Sequence, residues 1–185
     1  MSIGKTLQVL NQMVADGIVE QYAIAGAVAA LNYIEPSVTE DLDILISFEI
    51  QPASSLVTIG PIVGYMASKG YTEWRKEGLM IEGWPVQFLP VADSLDRDAL
   101  NSAVAVEDNF GSDVPVSTRV LSAEHVVAAA VRTARPKDFI RIAAFLDEEA
   151  VDLDALNSLL RRYDLYRKWS EFCRKTGLPD PLGGR

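Results

Sequence analysis

Two aspartates two residues apart, Asp41 and Asp43, stand at the opening of the apolar run Ile44-Leu45-Ile46. Side chains alternate along a strand, so the two carboxylates share one face. Paired like charges are costly unless a cation lies between them. Upstream, a short apolar segment ends at Gly26 and an Ala-rich segment follows. A carboxylate pair beside a glycine turn suits a divalent cation and phosphate chemistry. The same Asp-x-Asp also serves to cap a loop entering a strand. Other chemistry is sparsely supplied. His125 is the only histidine, and its neighbours Ala123, Val126 and Val127 suggest a structural role. Without a Ser/His/Asp cluster in sequence, hydrolases built on a triad are not expected. The single cysteine, Cys173, excludes an internal disulfide and a Cys-rich metal site, and reads as packing.

These residues need a scaffold, and 185 residues at 49% hydrophobic content can supply one domain with a proper core. The net charge is −9, and it is concentrated in residues 1–120. That acidic part is a poor nonspecific nucleic-acid binder. The basic residues Arg132, Arg135, Lys137, Arg141, Arg161, Arg162, Arg167 and Lys168 lie in the C-terminal third. They suit solvated helix faces or contacts with phosphates. No apolar run approaches the roughly 20 residues of a membrane span, and the N-terminus carries no long apolar leader region. With the lone cysteine, this points to a cytoplasmic protein.

Periodicity predicts a helix over residues 4–17, with Leu7, Leu10 and Val14 at helical spacing. A short strand follows over 22–25, then a small Ala-rich helix over 27–33. The unbroken apolar run of 42–48 predicts a strand buried on both faces at the centre of a sheet. A helix is expected over 54–69, best defined from Pro61 to Lys69. Short strands are expected over 72–75, 79–81 and 86–89, and a helix over 93–103. Residues 104–108 and 115–120 read as extended, about a turn at 110–113. From Ser122 the pattern is helical throughout, in four segments beginning near 122, 136, 152 and 165. The tail from Pro179 reads as frayed. Trp74 and Trp84 are expected to pack around the hairpins, and Trp169 in the last helix. The fold class is α+β: a small mixed sheet flanked by helices over residues 1–120, then a C-terminal helical module over 121–185 packed on it.

The glycine turn before a short helix, Glu40-Asp41-Leu42-Asp43 before a hydrophobic strand, and the later Arg135-Pro136-Lys137-Asp138 resemble the nucleotidyltransferase superfamily. The branch with AbiEii-type toxins and related bacterial proteins is the most similar. The resemblance spans most of the chain. It implies a minimal five-stranded mixed sheet, binding of a nucleoside triphosphate, and transfer of its nucleotide to an RNA, protein or small-molecule acceptor. It also implies Mg2+ held by Asp41 and Asp43, phosphates cradled by Gly26 and Ala27, Lys137 facing a phosphate, and Asp138 orienting Lys137 or the base. A toxin–antitoxin role with a partner protein is the alternative. Two features depart from the family pattern. Ala27 offers a backbone N–H but no hydroxyl. Gln87 stands where a third carboxylate is expected, and an amide is a poor magnesium ligand and no proton acceptor. Glu82 is a nearby substitute in sequence, though it also reads as an exposed turn residue.

Overall fold

Strand β2 (Leu42–Ser47) is the middle of a seven-stranded sheet, and its neighbours explain its composition. In the computed structural model, which describes residues 2–35, 39–48 and 58–183, the strand order is β3-β4-β5-β2-β1-β7-β6. The strands are β1 (Gln21–Ile24), β3 (Trp74–Arg75), β4 (Gly78–Ile81), β5 (Trp84–Pro90), β6 (Val104–Asp108) and β7 (Val116–Val120). The helices are α1 (Ile3–Ala15), α2 (Gly26–Ala30), α3 (Gly60–Ser68), α4 (Ser94–Asn101), α5 (Ala123–Thr133), α6 (Pro136–Asp147), α7 (Leu153–Arg162) and α8 (Tyr166–Thr176). β2 runs antiparallel to β1 and parallel to β5. Leu42, Ile44, Leu45 and Ile46 are all buried, as an unbroken apolar strand covered on both faces requires. Asp43 is the one half-buried residue in the strand.

Helices cover both faces. Tyr22 pairs with Ile46 and donates its hydroxyl to Asn11 of α1 at 2.7 Å, so α1 lies on the face carrying Tyr22, Ile44 and Ile46. Leu45 and Asp43 point the other way and share a chamber with residues of α4 and α5. One hydrophobic cluster, from Leu7 through Ile44 and Val127 to Trp169, runs through both the sheet and the C-terminal helices. The helical module is thereby packed on the core. Arg132 of α5 reinforces the joint by donating to Asp93 at 2.8 Å and Asp96 at 2.7 Å, at the start of α4.

Helix starts follow their capping chemistry. Asp93 accepts from the Asp96 N–H, Ser122 from the His125 N–H, and Asp152 from the Asp154 and Ala155 N–H groups. Pro136 occupies the first turn of α6, where its missing N–H costs nothing.

Four expectations change. The sheet has seven strands rather than the five that the resemblance implies, because β3 and β6 extend its two edges. The helix expected over 54–69 is Gly60–Ser68 among the described residues, and 54–57 lie outside them. Trp74, on the edge strand β3, is 44% exposed instead of packed. The tail is anchored up to Gly183: Asp180 accepts from the buried Trp169 indole at 2.8 Å and from the Leu182 N–H at 2.9 Å, and Leu182 is fully buried. A buried indole needs an acceptor, and Asp180 is placed to be one.

Candidate functional site

Strand pairing lays the chemistry-bearing residues out in a row. Asp43 pairs in parallel register with Gln87, so both side chains leave the same face of neighbouring strands. On the far side of Gln87, the Leu79–Val86 pairing brings Gly78 and the preceding Glu77 alongside. On the other side of Asp43, its carbonyl accepts from the Ala25 N–H at 2.8 Å, which holds the start of α2 against β2. Asp41 lies one alternation away from Asp43, where Thr39 Oγ1 donates to its Oδ1 at 3.3 Å. Asp41, Gln87 and Glu77 line one cleft of about 280 Å³, together with Glu40, Arg75, Lys76, Gly78 and Pro85. Asp43 and Gly26 line a second, smaller chamber of about 110 Å³ that runs beneath α5. The two carboxylates thus line different cavities.

Gly26 meets Asp43 closely. Its φ is +60°, and a Cβ built there would overlap Asp43 Oδ2 and stand 2.9 Å from Asp43 Cγ. Only glycine allows both the backbone conformation and the approach. Ala27 follows in the first turn of α2 and contributes backbone alone.

Across the site, α6 presents cations. Asp138 is fully buried and organises them: Arg135 donates to it from Nε at 2.8 Å, Arg141 from Nη1 at 3.5 Å, and Thr133 Oγ1 at 2.8 Å. Its Oδ2 also accepts the Arg135 backbone N–H at 3.1 Å. Burial pushes Asp138 up, but the bonds from Arg135 and Thr133 outweigh it and hold the carboxyl below its ordinary value. Asp138 therefore positions Arg135 and Arg141, and Lys137 is not its partner. Lys137 itself is exposed, without a hydrogen bond or ion pair among the described residues. Burial and then the Asp41 charge raise Asp43 above the usual carboxylate range, while Lys137, Arg135 and Arg141 pull it back. That balance marks a carboxylate that gains from a cation beside it.

The remaining candidates fall elsewhere. His125, buried, shares a 2.9 Å hydrogen bond between its Nδ1 and Ser122 Oγ, and its Nε2 stands 3.7 Å from Asp98 Oδ2. The structure does bring Ser, His and Asp together here, contrary to the sequence reading. Ser122 is nevertheless the cap of α5, and Asp98 is also engaged by Tyr163 at 2.8 Å and Arg162 at 3.3 Å. This is a packing network joining α4, α5 and α7. Glu82 adopts φ +51° in the β4–β5 turn and accepts the Tyr71 hydroxyl at 2.5 Å, facing a different cleft lined by Lys5 and Gln12. It does not stand in for position 87. Cys173 is buried, which pushes its thiol up to about 11, an unreactive state.

Arg135 and Arg141 were read from the sequence only among the basic residues of the C-terminal third, and Glu77 was given no role in a site. The i, i+3 spacing of Arg135, Asp138 and Arg141 was the available signal for the first two. Glu77 carried none, because its neighbour Gln87 comes from another strand.

The donor set suits one metal chemistry better than others. Among the described residues no group of three or more His, Cys, Asp or Glu is placed to hold a metal ion. Two neighbouring aspartates whose charges act on each other, with Lys137, Arg135 and Arg141 acting on Asp43, fit magnesium, which takes one or two carboxylates and draws its remaining ligands from substrate phosphates and water. A zinc site of four protein ligands does not fit. No described helix is long and apolar enough to cross a membrane. No protein-family model matches this chain, and no curated protein matches it.

Proposed function

We propose that this chain is a nucleotidyltransferase-like protein that binds a nucleoside triphosphate with magnesium and transfers the nucleotide to an acceptor. One observation carries the reading: the Asp43 carboxylate lies against the Gly26 turn, coupled to the Asp41 charge on one side and to Arg135, Lys137 and Arg141 on the other. Asp43, Gly26, Arg135 and Arg141 line one chamber, so a carboxylate for a divalent cation and cations for phosphate share that volume, while Asp41 lines the other cleft.

In this reading Asp41 and Asp43 hold the metal, and the backbone of Gly26 and Ala27 borders the phosphates. Lys137, exposed and without a hydrogen bond or ion pair among the described residues, is available to a phosphate oxygen. Arg135 and Arg141, held in place by Asp138, supply the positive wall. When bound, magnesium supplies charge neutralisation for the phosphate oxygens. The reading places the protein in the cytoplasm. The acceptor class is RNA, protein or a small molecule.

Titration with magnesium and ATP is the test. Saturable binding that Asp43→Ala removes supports the reading, and no binding to the wild type at millimolar ATP overturns it.

A second reading is favoured by Gln87. It stands in register with Asp43, where an amide neither accepts a proton nor binds magnesium well. On this view the fold keeps nucleotide binding with impaired turnover, as a sensor or as one half of a toxin–antitoxin pair with a partner protein. Gln87→Asp separates the two. A gain of transfer supports the impaired site, whereas wild-type transfer that the change does not improve removes that view.

A further inference from the structure

If position 87 cannot take the acceptor's proton, another group at the site must do so for transfer to proceed. Glu77 is built into the right place. The pairs Trp74–Leu79 and Arg75–Gly78 leave only Lys76 and Glu77 to turn the chain between β3 and β4, and Lys76 takes φ +55° there. Gly78 sets the turn down on β5: a Cβ on it would stand 2.8 Å from Pro85 Cβ. This close approach brings the Glu77 side chain to Gln87, whose Nε2 donates to Glu77 Oε2 at 3.3 Å. Glu77, Gln87 and Asp41 then line the same 280 Å³ cleft.

The other carboxylates nearby are engaged or elsewhere. Glu40 pairs with Lys76 at 3.4 Å, and Glu82 holds the Tyr71 hydroxyl in another cleft. Glu77 has no ion-pair partner among the described residues; its hydrogen bond is to the neutral Gln87 amide.

We propose that Glu77 is the general base of the site, a carboxylate relocated from β5 to the β3–β4 turn, with Gln87 as its positioning residue. This rests on the nucleotide-transfer reading above. The cleft beside Asp41 then admits the acceptor, a small hydroxyl compound. The acceptor O–H gives its proton to a Glu77 carboxylate oxygen. The acceptor oxygen forms a bond to the α-phosphorus. The bond from that phosphorus to the oxygen bridging the β-phosphate breaks, and its electron pair leaves with pyrophosphate. Charge and atoms balance without a further reactant.

The test uses the full chain with magnesium and α-labelled ATP, with water and glycerol as acceptors, reading pyrophosphate and labelled product while ATP affinity is measured separately. Glu77→Gln keeps the shape and an oxygen to accept the Gln87 amide, while proton acceptance and the charge that goes with it are lost. The expected result is a rate lower by about 100-fold with ATP affinity unchanged within about twofold. Adding Gln87→Glu to Glu77→Gln should recover about tenfold, because the proton acceptor returns on the adjacent strand. A Glu77→Gln rate within about threefold of wild type overturns the assignment and leaves the binding site standing. So does a wild type that binds ATP yet releases no pyrophosphate. Failure to bind ATP at all strikes the nucleotide reading itself.

Discussion

Gly26 and Asp43 are fitted to each other: the glycine turn at the end of β1 leaves no room for a side chain, because the Asp43 carboxylate of β2 occupies that space. In the proposed reading, the phosphate turn and the metal carboxylate form one structural unit. Gly26→Ala must strain a φ of +60° and displace the carboxylate. A loss of about 1 to 2 kcal/mol in stability is expected from the backbone alone, read from denaturant midpoints. Binding of magnesium and ATP should be lost with it. A variant of wild-type affinity would separate the turn from the site.

Asp43 bears a cost in the ligand-free protein. Burial and Asp41 raise its pKa, so its contribution to stability falls as pH rises through that folded value. Asp43→Asn removes the charge and should raise the thermal midpoint at pH 7 in the presence of EDTA, while abolishing binding of magnesium and ATP. A lowered midpoint would show that the charge is compensated within the protein.

Asp138 behaves oppositely. Its folded pKa lies below the ordinary value, so its stabilising effect is present above about pH 3.9 and is lost as pH falls through the folded value. Asp138→Asn should cost about 2 kcal/mol at pH 7, since bonds to charged groups are lost at a fully buried position. The loss should shrink towards zero in acid. ATP affinity should fall too, because Arg135 and Arg141 lose their anchor.

Lys137 provides the contrasting case. It is exposed and unpaired among the described residues, so Lys137→Ala should leave stability within about 0.5 kcal/mol. ATP binding should weaken about tenfold, equivalent to about 1.4 kcal/mol. Equal ATP affinities in variant and wild type would exclude it from the phosphate contacts.

His125 controls a separate pH response. Burial lowers its pKa against the opposing pull of Asp98. The unfolded chain therefore binds the proton more readily, and this contribution is complete above about pH 6.5 and declines as pH falls towards the folded value. As the chain has one histidine, the fall in denaturant midpoint between pH 7 and pH 5.5 should flatten in His125→Gln.

Much of this was written locally. The apolar run after Asp43 identified the central strand, because a strand flanked on both sides and covered on both faces can hold no polar alternation. Ser122 and Pro136 marked helix starts through capping chemistry that acts within a few residues. The Asp41–Asp43 spacing alone marked two carboxylates at the start of that strand. Lateral order is another matter. Gln87 beside Asp43, Glu77 beside Gln87, and Asp180 beneath Trp169 are neighbours through strand pairing and helix packing between distant segments. Periodicity records which face a residue belongs to and says nothing of which strand will lie next to it. The sequence by itself determined the elements and the carboxylate pair. The tertiary structure decided which groups surround that pair, because pairing register, set by the packing of the whole core, is what brings side chains from separate strands into reach.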